Sequence, residues 1–275
     1  MKKILLLITI AFCSLTVNAY DWEHVSLSGG AEAIANYSWR GFAQGGLSLQ
    51  PWLEFSTYGL TIGTWGNVGS GTYNDFYQLV PEIDVYLSYT VPGDWVTVML
   101  THYYYFDDKY FNFSYDADKV GSTQTELELT IRPLQFLEEN NGLEIGAAVM
   151  VGGGDCYSGN GETFYTDDTE MKALKLWSTY IYLKYEAEID NWTVNAEIGF
   201  SPNRSLYTYY DPASGVCAKA ALNNISFSTN YTFFDNDLIS VYALAGIRFN
   251  LFDAVYDKFA YGKNFGWNIG IGFEL

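Results

Sequence analysis

The sequence predicts an all-β protein, a single 12-stranded antiparallel β-barrel. Three observations predict it. Apolar and polar residues alternate with a period of two along almost the whole chain, the mark of strands with one apolar and one polar face. The connections between these runs alternate between short and long. The apolar fraction, 49% of 275 residues, is rich in aromatics (24 Tyr, 18 Phe, 8 Trp), while 32 Asp+Glu against 14 Lys+Arg give a formal charge of −18. That field repels polyphosphate and excludes nucleic acid as a partner. The aromatic content excludes a disordered acidic chain.

At the N-terminus, Lys2 and Lys3 precede an apolar stretch from Ile4 to Phe12, and Val17-Asn18-Ala19 supplies a small-x-small cleavage pattern. Residues 1–19 therefore read as a secretory signal peptide, and residues 20–275 as the barrel. The apolar stretch is too short for a membrane anchor. Phe12 before Cys13 departs from the small residue of a lipobox. Beyond Ala19 no run of about twenty apolar residues occurs, so no transmembrane helix is expected.

Strands are expected near residues 25–38, 46–57, 59–67, 79–90, 94–105, 123–136, 143–152, 173–188, 191–201, 221–233, 237–249 and 264–275. The last is the clearest. Phe265, Trp267, Ile269, Ile271, Phe273 and Leu275 share one face, and Asn264, Gly266, Asn268, Gly270, Gly272 and Glu274 the other. Short connections are expected at Tyr58-Gly59, Val91-Pro92-Gly93, Glu138 to Gly142, Asp190-Asn191 and Asp235-Asn236-Asp237. Long polar segments fall around 68–78, 106–122, 153–172, 202–219 and 250–263, and the first connection, Gly41 to Gly45, is brief. A soluble sandwich has no reason to gather its long loops at one end. A transmembrane barrel in the outer membrane of a Gram-negative cell does, with lipid as the partner of its apolar face. Tyr37, Trp39, Tyr103, Tyr104, Tyr105, Trp192, Phe233 and Trp267 fit the aromatic girdles of such a barrel.

By phase, the lumen-lining set is Glu32, Arg40, Glu54, Glu82, Asp84, Glu126, Glu128, Glu144, Glu197 and Arg248. Glu186, Glu188, Glu274, Lys184 and Arg132 share that phase. Acids facing lipid would each cost kilocalories, whereas a polar lumen accepts them. Two readings follow. One is a porin-like channel for passive diffusion of small solutes, cation-favouring because rings of carboxylates select cations. The other is a closed structural or surface-interaction barrel acting through its long acidic loops. Trp52, Trp65, Tyr86 and Tyr103 face inward and would narrow any pore.

The long loops carry Asp107, Asp108, Asp116, Asp118, Asp155, Glu162, Asp167, Asp168, Glu170, Asp211, Asp253 and Asp257. Without EF-hand spacing these read as solvated loops rather than a Ca²⁺ site. Cys156 and Cys217 fall in two different long loops, a candidate disulfide in an exported protein or two free thiols. For nucleophilic catalysis the chain offers only His24, at the mature N-terminus, and His102, which shares phase with Val96, Val98 and Leu100. Zinc spacing, P-loops and dinucleotide fingerprints are absent, so no catalytic residue, metal or cofactor is expected.

Tyr37-Ser38-Trp39-Arg40-Gly41-Phe42-Ala43-Gln44-Gly45 and Gly63-Thr64-Trp65-Gly66-Asn67 resemble two segments of the TorF family of porin-like proteins. The resemblance covers about the first fifty residues after the signal, and Gly45-Gly46 stands where the family has a more polar stretch. It implies an exported outer-membrane barrel and no particular substrate. Arg40 is expected at the end of the first strand on the polar face, its guanidinium in a structural ion pair at the barrel mouth with an inward acid such as Glu32 or Glu54.

Overall fold

A computed structural model of the chain describes residues 25–40, 42–43, 46–73, 76–105, 123–135, 142–153, 156–157, 174–175, 177–203, 205, 210–211, 216–217, 220–249 and 265–275. The expected signal peptide at 1–19, His24, and all the loop acids named above except Asp211 lie outside the described residues.

Strands run in chain order as β1 (Val25–Ala35), β2 (Ser38–Trp39), β3 (Phe42–Ala43), β4 (Leu47–Thr57), β5 (Leu60–Tyr73) and β6 (Phe76–Thr90). There follow β7 (Val96–Tyr105), β8 (Thr123–Ile131), β9 (Gly142–Gly153), β10 (Cys156–Tyr157), β11 (Leu174–Lys175) and β12 (Thr179–Ile189). The last are β13 (Trp192–Ser201), β14 (Tyr210–Asp211), β15 (Val216–Cys217), β16 (Ala221–Asp235), β17 (Ser240–Phe249) and β18 (Phe265–Glu274).

Twelve of these close a barrel in the order β1-β18-β17-β16-β13-β12-β9-β8-β7-β6-β5-β4, every pair antiparallel. The seam joins β1 to β18 from Gly30↔Glu274 to Ala35↔Ile269. Leu275 N–H donates to the Gly29 carbonyl at 2.8 Å beside it. Closure leaves no wall strand with an unpaired edge, so the wall satisfies its backbone groups within the sheet.

Alternation then sorts side chains by face. Ile62, Val85, Leu100, Leu129, Leu183, Ile198, Ile247 and Ile271 are exposed on the outside. Gln50, Asn67, Glu82, Asp84, Thr101, Glu126 and Arg248 are buried within. The protein is apolar outside and polar inside, the inverse of a water-soluble domain.

Each wall strand falls where alternation places it, with several differences in detail. Residues 68–73 and 76–78, expected as a loop, extend β5 and β6, which stay paired out to Tyr73↔Phe76. Their Gly, Ser and Thr residues look like loop in the sequence, yet the backbone ladder carries them. β8 stops at Ile131 rather than 136, because Pro133 has no N–H for a ladder. β12 begins at Thr179, not 173, after Trp177 takes a left-handed φ of 51°. β1 ends at Ala35 rather than 38, where Asn36 turns left-handed at φ 59° and its N–H donates to the Gly46 carbonyl at 2.7 Å.

Candidate functional site

Asn36 steers the chain off the wall. The ends of the 36–46 connection are pinned together, and the segment between them folds into the barrel as the β2–β3 hairpin, with Ser38↔Ala43 and Trp39↔Phe42 paired. Arg40 follows β2 directly. Arg40 has φ 46°, a position where Asn or Gly ordinarily sits. A β-carbon there costs on the order of 1–2 kcal/mol. The side chain explains why the cost is accepted.

Its guanidinium forks onto Glu126 of β8. Nη1 pairs with Oε2, and Nη2 donates to Oε1 at 2.7 Å. Nη2 also lies 3.5 Å from Glu128 Oε2. The Arg40 and Glu126 side chains are only 8% and 1% exposed. The guanidinium is sandwiched as well, 4.6 Å from the Trp39 ring centroid and 4.7 Å from that of Tyr180. Tyr103 donates its hydroxyl to Glu126 at 2.9 Å and stacks edge-on against Trp39 at 5.6 Å. Met150 and Tyr180 complete the cluster. On the near side of the connection, Tyr37 packs against Trp65 at 5.7 Å. Burial, then the nearby carboxylates of Glu82 and Asp84, push the Tyr37 hydroxyl well above its ordinary pKa.

Two expectations are corrected here. The inward acids that Arg40 meets are Glu126, 86 residues away, and Glu128, rather than Glu32 or Glu54, because its connection leaves the wall and crosses the interior. Tyr37, Trp39 and Tyr103 belong to the interior rather than to a lipid-facing girdle.

Glu32 and Glu54 are served by tyrosines. Tyr242 donates to Glu32 at 2.8 Å and Tyr86 to Glu54 at 2.6 Å. In both cases the tyrosine reaches over a neighbouring strand at a glycine: Tyr86 sits opposite Gly63 and Tyr242 opposite Gly272. A β-carbon on either glycine would collide with the ring. Tyr182 repeats the device, crossing Gly146 to donate to Glu128 at 2.6 Å. Each ring lies flat on the wall instead of projecting into the lumen. Tyr180 donates to Glu197 at 2.6 Å, and Asn224 joins it at 2.9 Å.

A row of alternating charge crosses the other side of the barrel. Arg132 Nε donates to Glu144 at 2.9 Å. Register then places Glu144 beside Lys184, Lys184 beside Glu197, Glu197 beside Ser226, and Ser226 beside Arg248. The Lys184 ammonium lies 3.9 Å from Glu144 and 3.3 Å from Glu186. Between this wall and the hairpin lies a chamber of about 430 Å³. Trp39, Arg40, Glu128, Glu144, Tyr180, Tyr182, Lys184, Glu197, Asn224, Ser226, Arg248 and Asn268 line it. Glu82 and Asp84 lie away from it on β6, each 8% exposed.

Cys156 and Cys217 have their backbones in separate two-stranded ladders, β10–β11 and β14–β15, and their side chains lie outside the described residues. His102 bonds Thr125 at 2.9 Å. Among the described residues no cluster of His, Cys, Asp or Glu has the arrangement of a metal site. The sequence reading missed the hairpin and the tyrosine–glycine–glutamate crossings. Their signals were an Asn ahead of an aromatic-flanked Arg-Gly pair, and glycines in polar phase on strands next to tyrosine-bearing ones.

Fold and site together define a class: a closed antiparallel barrel, apolar outside and polar inside, whose first connection folds back into its own interior. No protein-family model matches the chain, and no curated protein matches it. Among solved structures it is similar to a porin, at 11% identity over 83% of this chain, with a TM-score of 0.37. It spans 62% of that porin's length. It is similar also to the NanC porin, at 12% identity over 90% of this chain and 98% of that one, TM-score 0.42. A Pseudomonas aeruginosa FadL homologue matches at 11% identity over 92% and 74% of the two chains, TM-score 0.32.

Proposed function

We propose that the protein is an outer-membrane porin-like channel through which small polar solutes diffuse passively. The observation that carries this reading is the chamber of about 430 Å³ inside a polar wall whose tyrosines lie flat rather than fill it. The outer face supports the location. Exposed Ile62, Val85, Ile181, Ile269 and Ile271 would be costly in water at roughly 25 cal/mol per Å², and hydrocarbon is the medium that covers such a surface. A signal peptide at residues 1–19 would bring the chain there. A preference for cations has the acid excess of the inner face behind it. The reading assigns no catalytic residue and no cofactor.

The closed barrel is the second reading, favoured by one observation: the hairpin occupies part of the lumen, with Arg40 almost fully buried. Planar-bilayer recording of the purified, refolded protein decides between the two. Stepwise currents in KCl, with a reversal potential on the cation side, are the expected result. A folded protein that passes no current at any voltage would sink the channel.

A further inference from the structure

We infer that the β2–β3 hairpin sets the charge of the solute path, with Arg40 as its specificity-determining residue. This rests on the channel reading and deepens it. The inner acids fall into two sets according to where the hairpin lies. Glu126, Glu82 and Asp84 are 1%, 8% and 8% exposed and belong to β6 and β8, and the connection packs on β8 and on β5 and β7, the strands to either side of β6. Trp39 stacks on Tyr103, the register neighbour of Asp84, and Tyr37 stacks on Trp65, its neighbour on the other side. These acids are closed off from the chamber.

The chamber itself is balanced. Arg40, Lys184 and Arg248 line it together with Glu128, Glu144 and Glu197. The interior as a whole is acidic, but the space left for a solute is not. Arg40 produces the difference in two ways: its charge offsets Glu126 and Glu128, and its fork fixes the hairpin whose Trp39 and Tyr37 pack on Tyr103 and Trp65, the two register neighbours of Asp84. The wild-type path therefore suits neutral and zwitterionic polar solutes and discriminates only modestly in favour of cations. Without the fork, the buried acids join the path. It becomes wider and strongly cation-selective.

The test measures conductance and reversal potential in planar bilayers under a KCl gradient, with the full-length protein. Arg40→Gln is expected to raise conductance and to raise the cation-to-anion permeability ratio about fivefold, the Boltzmann factor for one unit charge a few ångströms away in water. Adding Glu82→Gln and Asp84→Asn should change little in the wild type and cancel much of the gain in the Arg40→Gln background. A merely structural ion pair predicts neither effect. If Arg40→Gln fails to fold, judged by heat-modifiable mobility, a variant with residues 37–45 replaced by a short Gly/Ser linker takes its place. Wild-type current with an unchanged ratio in the folded variants overturns this inference alone. No current from any form overturns it together with the channel reading.

Discussion

Two arcs of the wall hold carboxylates inside the same barrel by different means. Along β1 and β4 to β8 no strand carries a lysine or arginine. The acids there take neutral donors, Tyr242 for Glu32, Tyr86 for Glu54 and Tyr103 for Glu126, and one cation brought in by the hairpin. Across β12 to β17, Lys184 and Arg248 are built into the wall in the same row as Glu197 and Ser226. The first arc depends on a removable segment for its charge balance, and the second does not. The comparison also separates two energetic regimes. Arg40 and Glu126 are nearly fully enclosed, while the Lys184 side chain is 31% exposed and screened by solvent.

The largest expected effect is on the first arc. Arg40→Met removes the fork that fixes the hairpin to β8 and should cost about 3–5 kcal/mol, read as a shift in the urea unfolding midpoint in lipid vesicles. A loss under about 1 kcal/mol would mean that the fork contributes little to the hairpin's hold on the wall. Next come Leu87→Arg and Leu183→Arg, one on each arc and both facing outward. Each should cost about 2–4 kcal/mol, and the two costs should match, because the arcs differ only on the inside. Unequal costs would show that the difference reaches the outer face.

Tyr86→Phe and Tyr182→Phe test the device the arcs share. Each removes a hydroxyl donated to a carboxylate across a glycine, and about 1.5–3 kcal/mol is expected from either. The smallest effect belongs to Lys184→Met, below about 1 kcal/mol by the same unfolding measurement. A loss as large as that of Arg40→Met would erase the distinction between the arcs.

Much of the fold was legible in the chain. Phe265 to Leu275 shows both faces of its strand, and Tyr58-Gly59 marks its turn, both residues left-handed in the structure. Residues 69–72 misled because Gly, Ser and Thr are common in loops, while a backbone ladder can still carry them. The site was legible only in part. Phase identifies Glu54 and Glu126 as inward residues, but it says nothing of what meets them. Tyr86 reaches Glu54 over an intervening strand, and Arg40 reaches Glu126 from a connection that leaves the wall. Neither spacing appears in any local pattern.

The sequence by itself determined which residues face in and which face out, because side chains alternate along an extended backbone whatever the strand is paired with. Tertiary structure alone decided which inward groups meet. Closing the sheet brings Glu126 and Tyr180 around to a hairpin attached to β1, and only there does a left-handed Arg40 find a carboxylate fork and two aromatic faces. An acid excess can be counted in a sequence. Whether a solute meets it depends on what stands in front of it.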